Sequence, residues 1–446
     1  MTASPTVAPP GPPLQKQTTV GNYFVSNYPP FSFWKPEFVP DVLAALERPP
    51  VAGTPLGVYL HIPFCRKRCH FCYFKVYTDK DSAAIRGYIH AALQELALYA
   101  ARPVIGGRGA NFVYFGGGTP SYLSVDQLKE LTDGMKKLIS WEQAEEVTFE
   151  CEPGTLTSHK LNAIRELGVT RLSLGVENFD DHILEINGRA HHGKEIARAY
   201  ACARELEFPQ INIDLIAGMI GETEANWGEC VRRTIEMSPD SVTIYQMEVP
   251  YNTAIYREMK AAGNLAAPVA DWETKRAWVA GAFARLERAG YSVASAYTAV
   301  KTNKTARFLY RDRLWAGADL LGLGVASFGH LQGAHCQNQQ DFEPYLNALR
   351  AGQLPLHRAL TPSAEERLIR EFILQLKLGR TRCDYFLDKF GVDVRRRFAR
   401  PLRALGDRGL GGVQDGEVVL TREGLLQVDR LLHEFFLPEH QNARYA

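Results

Sequence analysis

Residues 58–74 read VYLHIPFCRKRCHFCYF, a β-rich run followed by three cysteines in the pattern Cys-x3-Cys-x2-Cys. The cysteines are Cys65, Cys69 and Cys72, and they come directly after a predicted strand at 56–62. Eight cysteines in 446 residues are too few for a disulfide framework. The crowding of three of them in one loop therefore indicates a metal or catalytic site in a reduced, cytoplasmic protein.

Outward from this stretch, short β-rich runs alternate with longer amphipathic segments. This alternation predicts a parallel sheet with helices on its outside, and six such units favour an incomplete β/α barrel over a short open sheet. The predicted strands after the first are 111–116, 146–152, 171–177, 210–216 and 241–247. The predicted helices between them include 82–99, 125–139, 158–167 and 223–237.

Several of these strands have one apolar and one polar face, because successive side chains point to opposite sides. Glu150 and Glu152 lie on the polar side of the third strand, Glu177 on that of the fourth, and Asn212 and Asp214 on that of the fifth. Strands covered on both faces normally read as continuous apolar runs. The persistent polar face therefore predicts a barrel with a polar, ligand-filled interior, and a fully packed barrel core is the alternative.

Composition divides the chain into four segments. Residues 1–50 contain a Pro-rich disordered tail and an aromatic arm at 22–34, which we expect to pack on the main domain, either over the active site or only over core surface. Residues 51–300 form the barrel and 301–360 its extension. Residues 361–446 form a small C-terminal α+β domain resembling a winged helix, with a hairpin turn at Asp415-Gly416 and a last helix near 422–436.

The overall charge gives no general argument for an anionic macromolecular partner. The formal net charge is +1, and no apolar run is long enough to span a bilayer. We therefore expect neither nucleic acid binding nor a membrane span, which is compatible with a small-molecule substrate.

The chemistry of the cysteine loop leaves two kinds of metal site open. Thiolates are soft ligands for iron–sulfur clusters and for zinc. A structural zinc site needs four protein ligands, and His70 is the candidate for the fourth. Three thiolates alone leave one iron of a [4Fe–4S] cluster free to chelate S-adenosylmethionine (SAM). A loop after a barrel strand is where catalytic groups gather, and this position favours the cluster.

Other residues fit SAM as the ligand. Residues 116–120 (GGGTP) follow the second strand, and glycines let the backbone approach a ligand closely. Glu150 and Asp214 are candidates for binding the methionyl amino group and the ribose hydroxyls. Arg189 is the candidate for the methionyl carboxylate, because its guanidinium is a planar fork.

At this point a resemblance becomes specific. The stretches 59–72, 114–121, 146–153, 172–179 and 212–218 resemble the oxygen-independent coproporphyrinogen III oxidase family of radical SAM proteins (HemN/HemW-like). Matches at 319–327 and 337–339 extend the resemblance from the aromatic arm nearly to the C-terminus. The resemblance implies a partial TIM-type (β/α)6 barrel and a [4Fe–4S] cluster on Cys65, Cys69 and Cys72. It implies a SAM site formed by Tyr59, Gly117, Gly118, Thr119, Glu150, Arg189 and Asp214.

The resemblance also implies a reaction. An electron donor such as flavodoxin or ferredoxin reduces the cluster, SAM splits into methionine and a 5′-deoxyadenosyl radical, and the radical removes a substrate hydrogen. In the coproporphyrinogen oxidases, two propionate side chains become vinyl groups with loss of carbon dioxide.

Two positions depart from the oxidase pattern and leave alternatives open. Phe74 stands where the pattern has a further cysteine, and Glu177 stands where the fourth strand usually ends Gly-Val-Gln. A carboxylate in place of an amide changes charge and hydrogen bonding, so Glu177 joins the candidate catalytic residues. One alternative is a radical SAM C-methyltransferase that uses two SAM molecules on another aromatic substrate. Another is a haem-binding chaperone, although residues 310–315 (YRDRLW) lack the His-Asn motif of that branch.

Overall fold

The computed structural model describes residues 23–263, 268–441 and 443. The predicted Pro-rich tail therefore lies outside the described residues. The chain enters as an extended aromatic arm, passes through short 3-10 turns at Phe31–Phe33 and Pro36–Phe38, and forms helix α1 (Val39–Leu46).

Six parallel strands lie side by side in chain order. They are β1 (Leu56–Ile62), β2 (Phe112–Gly117), β3 (Glu146–Cys151), β4 (Arg171–Glu177), β5 (Gln210–Ala217) and β6 (Ser241–Gln246). The helices that connect them are α2 (Ser82–Ala100), α3 (Val125–Leu138), α4 (Ser158–Glu166), α5 (Asp181–Ile186), α6 (Gly193–Glu205) and α7 (Glu224–Met237). Each predicted strand and helix of this region is present with ends within one residue, so the predicted partial β/α barrel is confirmed.

The same sheet continues beyond the six strands at both edges. The further elements are α8 (Ala254–Ala261), α9 (Trp272–Arg288), β7 (Tyr291–Val293), β8 (Thr298–Lys301), α10 (Leu309–Trp315), β9 (Asp319–Leu323), β10 (Phe328–Leu331), β11 (Ala334–Asn338), α11 (Phe342–Arg350) and β12 (Leu356–Leu360). The strand order is β12-β11-β10-β9-β1-β2-β3-β4-β5-β6-β8-β7, and β9 runs parallel to β1. The carboxyl ends of seven parallel strands therefore meet at one mouth.

The two faces of the sheet differ as the alternation predicts. Val147, Phe149 and Cys151 of β3 are buried in the apolar core beneath the outer helices. Side chains on the other face point into the barrel. Helices start at side chains that cap them, such as Ser124, which forms a reciprocal capping box with Gln127 at the start of α3. None of the described helices is both long enough and apolar enough to cross a membrane.

The C-terminal region is a separate small sheet with helices, as predicted. Its elements are α12 (Ala364–Leu376), β13 (Arg380–Arg382), α13 (Cys383–Phe390), α14 (Val394–Arg397), α15 (Ala399–Asp407), β14 (Gly411–Gln414), β15 (Glu417–Leu420), α16 (Arg422–Leu426) and α17 (Val428–Leu432). The strand order is β13-β15-β14, and the hairpin turns at Asp415 and Gly416, both with positive φ. The predicted single last helix is wrong: α16 and α17 are separated at Gln427, whose φ of −121° is not helical.

The aromatic arm packs on the main sheet, as we expected, and on the C-terminal region as well. The rings of Phe31 and Trp34 lie 4.5 Å and 5.0 Å from those of Phe328 and His335 in the main sheet, centroid to centroid. Val25 and Tyr28 are buried in the apolar core of the C-terminal region. The Tyr28 hydroxyl accepts a hydrogen bond from the backbone N–H of Leu437 (3.1 Å). The arm also reaches the main sheet, since Lys35 exchanges backbone hydrogen bonds with Ala359 (3.0 Å). It therefore joins the two regions, because each of them offers partners for its rings.

Candidate active site

The three cysteines lie in the loop after β1, at the mouth of the barrel. Thr119 Oγ1 donates a hydrogen bond to Cys65 Sγ (3.2 Å), and Arg189 Nη1 donates one to Cys69 Sγ (3.2 Å). Cys72 follows in a turn closed by its N–H and the Cys69 carbonyl (3.1 Å). Hydrogen-bond donors aimed at sulfur stabilise negative charge on thiolates and on iron–sulfur clusters.

The donor set and its surroundings fit an iron–sulfur cluster. Burial raises the pKa of Cys65 to about 11 and that of Cys72 to about 12, so these thiols need a positive partner such as iron to ionise. Gly118 makes room for the loop, because a Cβ there would lie 3.1 Å from Cys65 Sγ. His70, the candidate fourth zinc ligand, has Nδ1 3.1 Å from the Ile186 carbonyl oxygen. Within the described ranges, no three His, Cys, Asp or Glu side chains are grouped to hold a single metal ion.

A buried carboxylate anchors the cysteine loop. Arg66 donates to both oxygens of Glu152 (2.9 and 3.2 Å) and to the Ala190 carbonyl (2.8 Å). His191 Nδ1 lies 3.2 Å from the same carboxylate. Burial alone would raise the pKa of Glu152, but the hydrogen bonds from His191 and Arg66 hold that pKa at about 2. Sequence reasoning missed this anchor, although Glu152 stood on the predicted polar face.

The glycine-rich turn after β2 faces a second buried carboxylate. Gly117 has φ +109°, and a Cβ there would lie 2.5 Å from the His61 ring, so the close approach requires glycine. The Gly117 N–H donates to Glu150 Oε2 (3.1 Å), and the Tyr114 hydroxyl donates to Glu150 Oε1. Burial raises the pKa of Glu150 to about 7.

A hydrogen-bond network orients the carboxylate of Asp214 on the inner face of the barrel. Ser173 Oγ donates to Asp214 Oδ2 (2.8 Å), and Asn212 Nδ2 donates to Asp214 Oδ1 (2.8 Å). Ser241 and Thr243 donate in turn to Asn212 Oδ1 (2.8 and 3.0 Å). Burial raises the pKa of Asp214. A network connected in this way fixes the orientation of the carboxylate.

Glu177 lies at an irregularity of β4, where its register with β5 shifts. Its φ of +65° is unusual for a residue with a side chain, and such conformations concentrate at functional sites. Its Oε1 lies 3.6 Å from Arg189 Nη2, which also donates to the Gly175 carbonyl (2.7 Å). Burial raises the pKa of Glu177 to about 7, against the opposing effect of Arg189.

Aromatic side chains close the end of the barrel opposite the mouth. The Tyr114 ring lies 5.8 Å from that of Tyr59 and 4.5 Å from that of Tyr310, centroid to centroid. The Arg171 guanidinium is 4.1 Å from the centroid of Phe308. Among the described residues, Nε and Nη1 of Arg171 have no hydrogen-bond partner, so its charge acts on the interior carboxylates. Sequence reasoning assigned no role to Phe308, Tyr310 or Arg171.

The predicted site residues are brought together around this interior. The cysteines, Gly117, Gly118, Thr119 and Arg189 gather at the mouth, while Tyr59 lies deeper, in the aromatic layer. Their individual roles toward SAM stay predictions. Three carboxylates and two guanidinium groups share a buried space that is closed by aromatic rings, and this arrangement suits a charged organic ligand.

Comparison with known proteins agrees with this geometry. The family model of the radical SAM superfamily matches residues 59–234. The heme chaperone HemW of Bacillus subtilis is 28% identical over 83% of this chain and 96% of its own length. The oxygen-independent coproporphyrinogen III oxidase of Synechocystis is 27% identical over 90% of this chain and 89% of its own length.

A solved structure extends the likeness to three dimensions. The coproporphyrinogen III oxidase HemN of Escherichia coli, described as a radical SAM enzyme, superposes with a TM-score of 0.80 and 25% identity. The match covers 92% of this chain and 96% of that one. Radical SAM proteins use a [4Fe–4S] cluster and SAM. Residues 59–234 are thus a radical SAM domain, and along most of its length the chain is similar to the oxygen-independent coproporphyrinogen III oxidases and to HemW.

Proposed function

We propose that this protein is a radical SAM oxidoreductase that converts propionate side chains of coproporphyrinogen III into vinyl groups. The observation that supports it most directly is the cysteine loop, which Arg189 connects to the carboxylate-lined barrel interior. The substrate is proposed from the oxidases that match along most of the chain. When bound, the cluster and SAM would supply a 5′-deoxyadenosyl radical as the acceptor of one hydrogen atom. Conversion of the propionate to vinyl also releases carbon dioxide and one electron, which an external one-electron acceptor must take.

The chain's own residues hold and orient the cofactors. Cys65, Cys69 and Cys72 would bind three irons of the cluster and leave one for SAM. SAM carries a sulfonium cation, and its amino group and ribose hydroxyls are hydrogen-bond donors. Glu150, Glu177 and Asp214 form an acceptor-rich, electronegative surface for those groups. Because the surface is buried, each contact is stronger than it would be in water.

Shielding from water is the second contribution of the fold. The aromatic layer of Tyr59, Tyr114 and Tyr310 closes the barrel below the SAM site. Reactive intermediates would then be shielded from solvent on that side, and at the mouth the substrate itself would block the entrance.

One experiment separates this proposal from its alternatives. Cluster-reconstituted protein is reduced without oxygen and incubated with methyl-labelled SAM and coproporphyrinogen III, and the products are read by mass spectrometry. We expect tetrapyrrole products that have lost one and then two units of carbon dioxide plus two hydrogens, with one 5′-deoxyadenosine per vinyl group. A variant with Cys65, Cys69 and Cys72 changed to Ala should be inactive. Cys151→Ala, which alters a thiol in the apolar core, should keep its cluster and its activity.

The other outcomes identify the alternatives. Unchanged coproporphyrinogen together with 5′-deoxyadenosine would refute the substrate assignment. Labelled methyl transfer with S-adenosylhomocysteine would show a methyltransferase. Stoichiometric haem binding without turnover would show a function like that of the HemW relative.

A further inference from the structure

Arg358 of β12 is a half-buried guanidinium without a carboxylate partner among the described residues. Its Nε donates to Gln337 Oε1 (2.6 Å), and its Nη1 donates to the Phe31 carbonyl (2.9 Å). Nη2 makes no hydrogen bond to any residue that the structure describes. Two neutral acceptors thus fix the orientation of the fork while its charge stays uncompensated. A partly buried cation held in this way is suited to an anionic ligand.

Two chains of contacts place Arg358 at the mouth of the barrel. Gln337 also donates from Nε2 to the Ala326 carbonyl (3.2 Å), in the loop that follows β9. That loop begins at Gly324, where a Cβ would lie 2.7 Å from the carbonyl oxygen of His61 in β1. Arg358 is therefore joined, through Gln337, to the loop that lies directly beside the start of the cysteine loop.

The second chain of contacts comes from the loop after β6. Burial lowers the pKa of Arg358, and the nearby Tyr251 phenol acts in the opposite direction. The next residue, Asn252, donates from Nδ2 to the carbonyl of Tyr73 (3.1 Å), and Tyr73 follows Cys72 directly. Tyr251 thus lies beside the end of the cysteine loop, and its effect on the pKa of Arg358 agrees with the placement of Arg358 at the same mouth.

This rim is unusually aromatic for an exposed surface. Tyr73, Phe74, Tyr245 and Tyr251 are 43%, 46%, 43% and 62% exposed. The rings of Tyr73 and Phe74 lie 4.6 Å apart, centroid to centroid. Tyr245 lies near the carboxyl end of β6, at the same mouth of the barrel. Exposed apolar side chains grouped at a site mark a binding surface rather than random exposure.

We propose that this rim is the substrate site, in which Arg358 pairs with a propionate carboxylate that does not react and the four aromatic side chains cover the pyrrole rings. The inference rests on the proposed function. Coproporphyrinogen III has four propionates, two of which remain after the reaction and need cationic partners. The rim offers one oriented cation next to an apolar surface, and a carboxylated tetrapyrrole has both features.

The test uses coproporphyrin III, the stable oxidised form of the substrate, and its tetramethyl ester. Binding of each to cluster-loaded protein is followed by fluorescence for wild type, Arg358→Gln and Arg358→Lys. Arg86→Gln is the control, because it removes a guanidinium from an exposed ion pair with Glu130 on the outer helices. We expect Arg358→Gln to weaken binding of the free acid about ten- to a hundredfold and to leave ester binding unchanged. Arg358→Lys should lie between wild type and Arg358→Gln, and Arg86→Gln should match wild type.

The outcomes distinguish a failure of the Arg358 assignment from a failure of the proposed function. Equal affinity of wild type and Arg358→Gln for the free acid would overturn this inference and leave the proposed function standing. Failure of wild type to bind or convert coproporphyrin compounds would overturn both. If Arg358→Gln does not fold, the wild type still tests whether the site recognises carboxylates. It must then bind the free acid at least about tenfold more tightly than the ester, and equal affinities would overturn the inference.

Discussion

Arg189 donates a hydrogen bond from Nη1 to the Sγ atom of Cys69 at 3.2 Å, across 120 positions of sequence. The other edge of the same guanidinium donates to the Gly175 carbonyl and lies 3.6 Å from Glu177. One side chain thus joins the cysteine loop after β1 to the irregular end of β4. Both edges of the fork are in use, which a single ammonium group cannot reproduce.

Arg189→Lys should therefore separate cluster assembly from SAM binding. We expect iron and sulfide contents close to wild type, because the three cysteines remain, and a roughly tenfold or larger rise in the Kd for SAM. Equilibrium dialysis and the EPR spectrum of the reduced cluster with and without SAM measure the two effects. Arg232→Lys, in an exposed ion pair on α7, is the control. Wild-type SAM affinity in Arg189→Lys would contradict the assigned role.

SAM binding should weaken as the pH falls from 8 to 6. Burial raises the pKa of Glu150 and of Glu177 to about 7, so both become protonated over this range and lose their attraction for a cation. The negative charge of Asp214 disfavours ionisation of both Glu150 and Glu177. The positive charge of Arg171 favours ionisation of Glu150, and that of Arg189 favours ionisation of Glu177. Each group can change the Kd by up to about tenfold per pH unit below its pKa.

Glu177→Gln tests the origin of that pH dependence. The variant should bind SAM more weakly than wild type at pH 8 and show a shallower dependence, because Glu177 no longer titrates while Glu150 still does. The comparison cancels the titration of SAM itself, which is common to both proteins. Identical pH profiles for the two proteins would show that Glu177 does not face the ligand.

Gly118→Ala should disturb the cysteine loop. The added Cβ would lie 2.8 Å from the Ile62 carbonyl oxygen and 3.1 Å from Cys65 Sγ, so the loop must move. We expect substoichiometric iron after reconstitution and a lower Tm. Gly281→Ala, at an exposed position of α9 with open space around it, should instead stabilise the protein by about 0.5–1 kcal/mol. A full cluster in Gly118→Ala would contradict the close packing.

Glu95 of α2 should matter for stability, since it is fully buried and accepts three hydrogen bonds. The donors are the Gly324 N–H (2.9 Å), Asn338 Nδ2 (2.6 Å) and the Tyr345 hydroxyl (2.6 Å). Asn338 Nδ2 keeps the Gly324 carbonyl and Ser327 Oγ as acceptors. Glu95→Ala leaves the buried Gly324 N–H and Tyr345 hydroxyl without their carboxylate partner, and we expect a loss of about 3–5 kcal/mol in the free energy of unfolding.

Denaturant titration measures this loss, and Glu130→Ala, which breaks an exposed ion pair on α3, should cost less than about 1 kcal/mol. Burial raises the pKa of Glu95 to about 7, above its unfolded value. Its contribution should therefore be largest in mild acid and decline as the pH rises through 7. A difference between wild type and Glu95→Ala that grows from pH 6 to 8 would contradict this assignment.

Much of the fold was predictable because its signals are local. Strand ends and helix ends follow from the alternation of polar and apolar residues, which depends on neighbours only a few positions away. The same alternation assigned Glu150 and Asp214 to the barrel interior, where the structure places them. The last helix was mispredicted because its break at Gln427 has no local signal such as proline.

What the sequence by itself determined is the order of the elements, the polar inner faces of the strands and the three-cysteine loop. Only the tertiary structure decided which distant residues meet. The anchoring of Arg66 by Glu152, the contact between Arg189 and Cys69, and the position of Arg358 at the rim all join segments that are far apart in sequence. Such contacts depend on strand order, twist and register summed over the whole sheet, and no periodicity within one segment contains that information.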